Sequence, residues 1–63
     1  MRKNLINTRK KMGLTQAQIA KKANISIRHY QDLEAGTSNG SLKVWEELKL
    51  VLKKSIDYLS NQE

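Results

Sequence analysis

The 63-residue sequence contains no cysteine, no proline and no phenylalanine. Without cysteine there is no disulfide, no thiolate metal site and no thiol nucleophile, so the fold needs no oxidising compartment. Only three glycines and no proline are present to interrupt helices. The single histidine, His29, has no partner spaced to complete a metal site. No nucleophile–base constellation is evident either, so an enzyme is not expected. No apolar run approaches the roughly 20 residues of a membrane span, or the core of a signal peptide. A soluble cytoplasmic protein that uses no cofactor and no metal is therefore expected. The most telling absence is negative charge: no Asp or Glu precedes Asp32.

What fills that acid-free stretch is positive. Arg2, Lys3, Arg9, Lys10, Lys11, Lys21, Lys22 and Arg28 all come before Asp32, and the chain carries a formal net charge of +6. Beyond Asp32 the signs mix, with Glu34, Glu46, Glu47 and Asp57 among Lys43, Lys49, Lys53 and Lys54. Such asymmetry favours a polyanionic partner, nucleic acid first and an acidic membrane surface second. The length allows one domain over residues 1–63. A chain this short buries a modest fraction of its surface, which tight helical packing or dimerisation would remedy. Glu46 and Glu47 are neighbours on a helix and point about 100° apart, so they do not converge on one substrate.

No segment shows the alternation of a strand, and the pattern is helical throughout. A first helix is predicted over about 2–12, with Leu5 and Met12 facing a core and Gly13 ending it in a left-handed turn. Leu14 then tucks inward. Thr15 caps a second helix, and Gln18 completes a capping box. This helix carries Ile19, Ala20 and Ala23 inward and Lys21 and Lys22 outward. Asn24, tolerant of the left-handed region, turns the chain. Ile25 plugs the turn and Ser26 caps a third helix that Gly36 stops. In that helix Tyr30 and Leu33 face inward, while Ile27, Arg28, Gln31 and Asp32 face outward. Residues 37–41 form a polar loop. From 42 to 59 an apolar stripe runs through Leu42, Trp45, Leu48, Leu52, Ile56 and Leu59, widened by Val44, Val51 and Tyr58. A break near Lys53-Lys54 with Ser55 as a new cap is expected, one long bent helix being the alternative. Residues 61–63 should fray.

Two short helices joined by such a turn, over about 15–35, match a helix-turn-helix. The residues also resemble the phage repressor and Cro type of that motif, the lambda-repressor-like or XRE family. The resemblance lies in Arg9, Gly13-Leu14-Thr15-Gln16, Ile19-Ala20, Ser26, Leu33-Glu34-Ala35-Gly36, Ser41-Leu42 and Ser55-Ile56-Asp57-Tyr58-Leu59, so it spans nearly the whole chain. It implies an all-α, compact five-helix domain, with C-terminal helices at about 42–60. Its third helix would read the DNA major groove, commonly as a homodimer on a near-palindromic operator. Asn24 and Lys53 stand where members commonly have glycine.

On that footing Ile27, Arg28, Gln31 and Asp32 are candidates for base readout. An arginine pairs bidentately with guanine N7 and O6, and an aliphatic side chain packs on a thymine methyl. Asp32 accepts from cytosine N4 or, one turn beyond Arg28, aims it. Gln16, Ser26, Asn39, Lys43 and Lys10 are candidates for the DNA backbone. For Gln16 the resemblance implies a phosphate contact. For Arg9 and Glu34 it implies a partly buried ion pair linking the first helix to the end of the third. Val44, Leu50, Val51 and Tyr58 are candidate dimer contacts. Tyr30 and Trp45 fall among aliphatics at helical spacing and are expected in the core, not as base-stacking platforms. The resulting expectation is a sequence-specific double-stranded DNA-binding transcriptional regulator, a repressor acting as a homodimer. The alternative is an antitoxin-like or other protein-interaction module in which DNA binding is secondary.

Overall fold

Four helices begin at a hydroxyl that accepts from the backbone three residues on, which fixes where each one starts. The computed structural model describes residues 1–62. It contains α1 (Lys3–Lys11), α2 (Gln16–Lys22), α3 (Ile27–Ala35), α4 (Leu42–Leu52) and α5 (Ile56–Ser60), with no strand among the described residues. Thr15 Oγ1 accepts from Gln18 N at 3.1 Å while Thr15 N donates to Gln18 Oε1 at 2.8 Å, closing the predicted capping box. Ser26, Ser41 and Ser55 cap α3, α4 and α5. Only α1 starts without a side-chain cap, at Arg2.

The ends of α1, α2 and α3 obey one rule. Gly13, Asn24 and Gly36 adopt positive φ, and the next residue's N–H reaches back to the last turn: Leu14 to Arg9, Ile25 to Ala20, and Thr37 to Asp32. α4 ends at Lys53 in the same conformation (φ 56°), without glycine to make it easy. A left-handed lysine is strained by contact of its Cβ with the backbone. Lys53→Gly is therefore expected to raise stability by about 0.5–1 kcal/mol, which is less than the relieved strain because glycine also gains entropy when unfolded. Thermal melting of the two proteins checks this, and the variant should melt a few degrees higher.

α2 packs against α3 and α4, and α5 closes the fold against α1 and α4. The core holds Leu5, Ile19, Ala20, Ala23, Tyr30, Leu33, Trp45, Leu48, Leu52 and Leu59. Ile25, Val44, Val51 and Ile56 pack against it from the rim. The whole measures 24 × 21 × 18 Å.

Three residues expected on the apolar faces lie outside it, Tyr58 on α5 being 43 % exposed. Met12 is 45 % exposed. α5 has five residues, roughly 7.5 Å of helix, and it sits at the N-terminal half of α1, where Asn4 Nδ2 donates to Tyr58 O. Met12, beyond the last residue of α1, is out of its reach. Leu42 is 69 % exposed. At about 100° per residue it lies roughly 90° from the direction set by Trp45, Leu48 and Leu52, so the apolar stripe starts at Trp45. The break after Leu52 occurs as predicted, with Ser55 capping α5. Asn61 and Gln62 are non-helical, and Glu63, also expected to fray, lies outside the described residues.

Candidate nucleic-acid interface

The α2–turn–α3 unit is built from its turn outward. Asn24 supplies the positive φ that reverses the chain, Ile25 packs on the core, and Ser26 Oγ receives His29 N at 3.0 Å. α3 thus leaves the turn with Ile27 and Arg28 as its first residues, both exposed. An open groove of about 460 Å³ lies at this turn, lined by Ala17, Lys21, Ser26 and Ile27 among others.

Along the outer face of α3, Arg28 is 83 % exposed as a side chain, and its Nε lies 3.5 Å from Asp32 Oδ1. A pair this open to water adds little stability, but it biases the guanidinium's direction. Asp32 Oδ1 also accepts from Thr37 Oγ1 at 3.3 Å, which steadies the carboxylate. Gln31 is exposed on the same helix and donates to Gln16 Oε1 at 3.3 Å, bridging α3 to the start of α2. His29 is half-buried, and its Nε2 has no hydrogen-bond partner.

Behind this face stands a carboxylate hub. Glu34 is buried and receives Arg9 Nε at 2.6 Å, Tyr30 OH at 2.6 Å and Gln16 Nε2 at 2.8 Å. Arg9 Nη1 also donates to Leu14 O at 2.9 Å. Three helices are therefore fastened to one carboxylate, and Arg9 ties in the α1–α2 turn. Burial alone would push the Glu34 carboxyl upward, but the hydrogen bonds from Arg9, Tyr30 and Gln16 outweigh it and hold the group below its ordinary value. Burial, then the bond to Glu34, push the Tyr30 hydroxyl well above its ordinary value. Arg9 is shifted upward, first by its hydrogen bond to Glu34. Sequence reasoning named Arg9 and Glu34 but missed that Tyr30 and Gln16 share the carboxylate. A visible signal was the spacing of Tyr30 and Glu34, which places the tyrosine one helical turn before an acid.

The candidate backbone residues sit around this unit. Gln16 opens α2, half-buried and held by Glu34. Ser26 is exposed at the α3 cap. Asn39 is exposed in the loop after α3, with its carbonyl accepting from Trp45 Nε1 at 2.7 Å. Lys43 is exposed in the first turn of α4, and Lys10 in the last turn of α1. Of the candidate dimer residues, Leu50 is 70 % exposed and Tyr58 is also exposed. Val44 and Val51 pack partly on the core. Among the described residues no group of side chains could hold a metal ion, and no helix is long and apolar enough to cross a membrane.

A protein-family model described as helix-turn-helix matches residues 5–59. The chain belongs to the helix-turn-helix family of the phage repressor and Cro type. No curated protein and no solved structure matches it. As a member of this family it is a DNA-binding transcription regulator, and double-stranded DNA is its partner. The family region takes in the whole carboxylate hub and the loop after α3. It leaves out residues 1–4 and those after Leu59.

Proposed function

We propose that this regulator is a repressor that binds a near-palindromic operator as a homodimer, with α3 in the major groove. The observation that carries the reading is the outer face of α3. An aliphatic and a cation (Ile27, Arg28) stand exposed at the start of a helix whose other face is locked into the core, with a half-exposed carboxylate, Asp32, one turn further on. Side chains at such positions project at base edges in a helix-turn-helix. Arg28 reads a guanine, steadied by Asp32, and Ile27 covers a thymine methyl, with Gln31 beside them.

The grip on the backbone comes from the residues around α3. Gln16 Nε2 has two hydrogens; one goes to Glu34 and the other meets a phosphate. Ser26, Asn39, Lys43 and Lys10 add contacts to neighbouring phosphates. A homodimer uses the apolar residues left exposed on α4 and α5, Leu50 and Tyr58, with the half-buried Val44 and Val51 of α4. It sets two recognition helices about 34 Å apart, one turn of DNA.

Selection of bound duplexes from a random pool tests the reading. The expected result is an enriched pair of inverted half-sites one turn apart, and enrichment of no motif would sink it. With the selected operator in hand, Arg28→Ala should lose about 1–3 kcal/mol and relax one base position per half-site. An equal loss on unrelated duplex would instead make Arg28 a phosphate clamp.

A further inference from the structure

Arg2 lies before the family region, yet it is the most deeply committed basic side chain in the fold. It is 3 % exposed, and its Cζ sits 5.1 Å from the centroid of the Trp45 ring. Nη1 donates to Leu33 O at 2.8 Å and to Ser38 O at 2.7 Å, while Nε donates to Ser60 O at 3.0 Å. Its own backbone N–H donates to Glu34 O at 2.9 Å. These acceptors belong to three places: the last turn of α3, the loop that follows it, and the last residue of α5.

A helix presents unpaired carbonyls and partial negative charge at its C-terminal end, and a cation there completes it. Neither α3 nor α5 carries a basic residue in its last turn. Arg2 supplies that charge to both from outside their own sequence. Its fork of donors suits the task in a way a lysine ammonium does not. Ser38 is the contact that matters for function. It sits beside Asn39, whose carbonyl is tied to Trp45 Nε1, the same ring Arg2 covers. Arg2 therefore holds both ends of a small frame, the end of the recognition helix and the start of the loop leading to Asn39 and Lys43.

We propose that Arg2 is a positioning residue for DNA binding. Buried and turned inward, it sets the loop 37–41 against the end of α3 so that the loop reaches the DNA backbone alongside the recognition helix. The proposal rests on the reading that Asn39 and Lys43 contact the backbone.

The test is a double-mutant cycle on a random-sequence duplex at fixed salt, with each protein shown to be folded by circular dichroism. Arg2→Gln is expected to weaken binding about fivefold to tenfold in the parent chain, the scale of one or two lost polar contacts. In a chain carrying Asn39→Ala and Lys43→Ala, the same change should cost less than about twofold, because the contacts it positions are already gone. Hydrogen exchange at Trp45 Nε1 should quicken in Arg2→Gln relative to the Leu48 amide, which marks a loosened loop and not a loosened core. If Arg2→Gln does not fold, Arg2→Lys carries the same cycle, keeping the charge but losing the fork. An undiminished loss in the Asn39→Ala, Lys43→Ala background, or no loss in the parent, overturns the proposal. A parent chain that binds no duplex overturns the DNA reading itself, and the proposal falls with it.

Discussion

Glu34→Ala is expected to cost about 3–5 kcal/mol, enough to leave much of the chain unfolded at room temperature. A domain of this length has roughly 3–9 kcal/mol in total, so the loss takes a large share of it. The cost comes less from the bonds lost than from what is left behind. Arg9, whose side chain is only 11 % exposed, keeps its charge without a counter-ion. The Tyr30 hydroxyl and Gln16 Nε2 lose their acceptors too. Replacing Arg9, Tyr30 and Glu34 together removes the stranded charge and hydroxyl and leaves only the half-buried Gln16 amide, which can turn to water, so Arg9→Met, Tyr30→Phe and Glu34→Leu combined should recover most of the stability. Urea unfolding of the single and triple variants checks both statements, and a single-variant cost below about 1 kcal/mol would show that the fold does not depend on the hub. The triple variant makes a second point. Stable but lacking the carboxylate that holds Gln16, it should bind duplex DNA more weakly than the parent.

The same carboxylate sets an acid limit. Its folded value lies below the ordinary carboxyl value of 4.5. A carboxyl depressed by folding contributes stability that is complete above its unfolded value and is lost as pH falls through its folded value. The parent should therefore lose stability progressively below about pH 4.5, and the triple variant should lack this component. Urea midpoints measured across that range compare the two directly.

How much of this was legible beforehand divides along the line between local and distant contacts. The caps at Thr15, Ser26, Ser41 and Ser55 and the turns at Gly13, Asn24 and Gly36 concern residues within six positions of one another, and the sequence carries them openly. Helix faces came out well along the middle of α1 to α4, and failed at helix ends and on the short α5, where Tyr58 is exposed. Leu42 and Met12 sit at the edge of their helices, where spacing alone does not say how far the neighbouring helix extends. The hub was half legible. Arg9 and Glu34 came from the family resemblance, while the bond from Gln16 joins helices and no pattern in the chain announces it. Arg2 was the least legible. Among so many basic residues it counted only toward the net charge, and burial against the Trp45 ring sets it apart.

Gly40→Ala is expected to be nearly as damaging, at about 2–5 kcal/mol, for two reasons that add. Gly40 has φ +72°, where an alanine Cβ presses on its own backbone, a cost of about 1–2 kcal/mol. The added Cβ would also stand 2.8 Å from Trp45 Nε1 and 2.9 Å from Leu33 Cδ2, closer than such atoms pack, and overfilling a core costs about 1–3 kcal/mol. Gly13 separates the two terms. It has nearly the same φ, +71°, and an alanine methyl there would meet nothing within 4 Å, so Gly13→Ala should show the backbone cost alone. The difference between the two urea midpoints then measures the crowding at Trp45. That crowding bears on function because the crowded atom is the indole nitrogen that holds Asn39. To admit the methyl, the indole must shift and release the Asn39 carbonyl, so Gly40→Ala should also change Trp45 fluorescence and weaken duplex binding, while Gly13→Ala leaves the fluorescence unchanged. If both variants lose equal stability, the contact at Trp45 is soft, and the loop after α3 is not braced where the geometry places its brace.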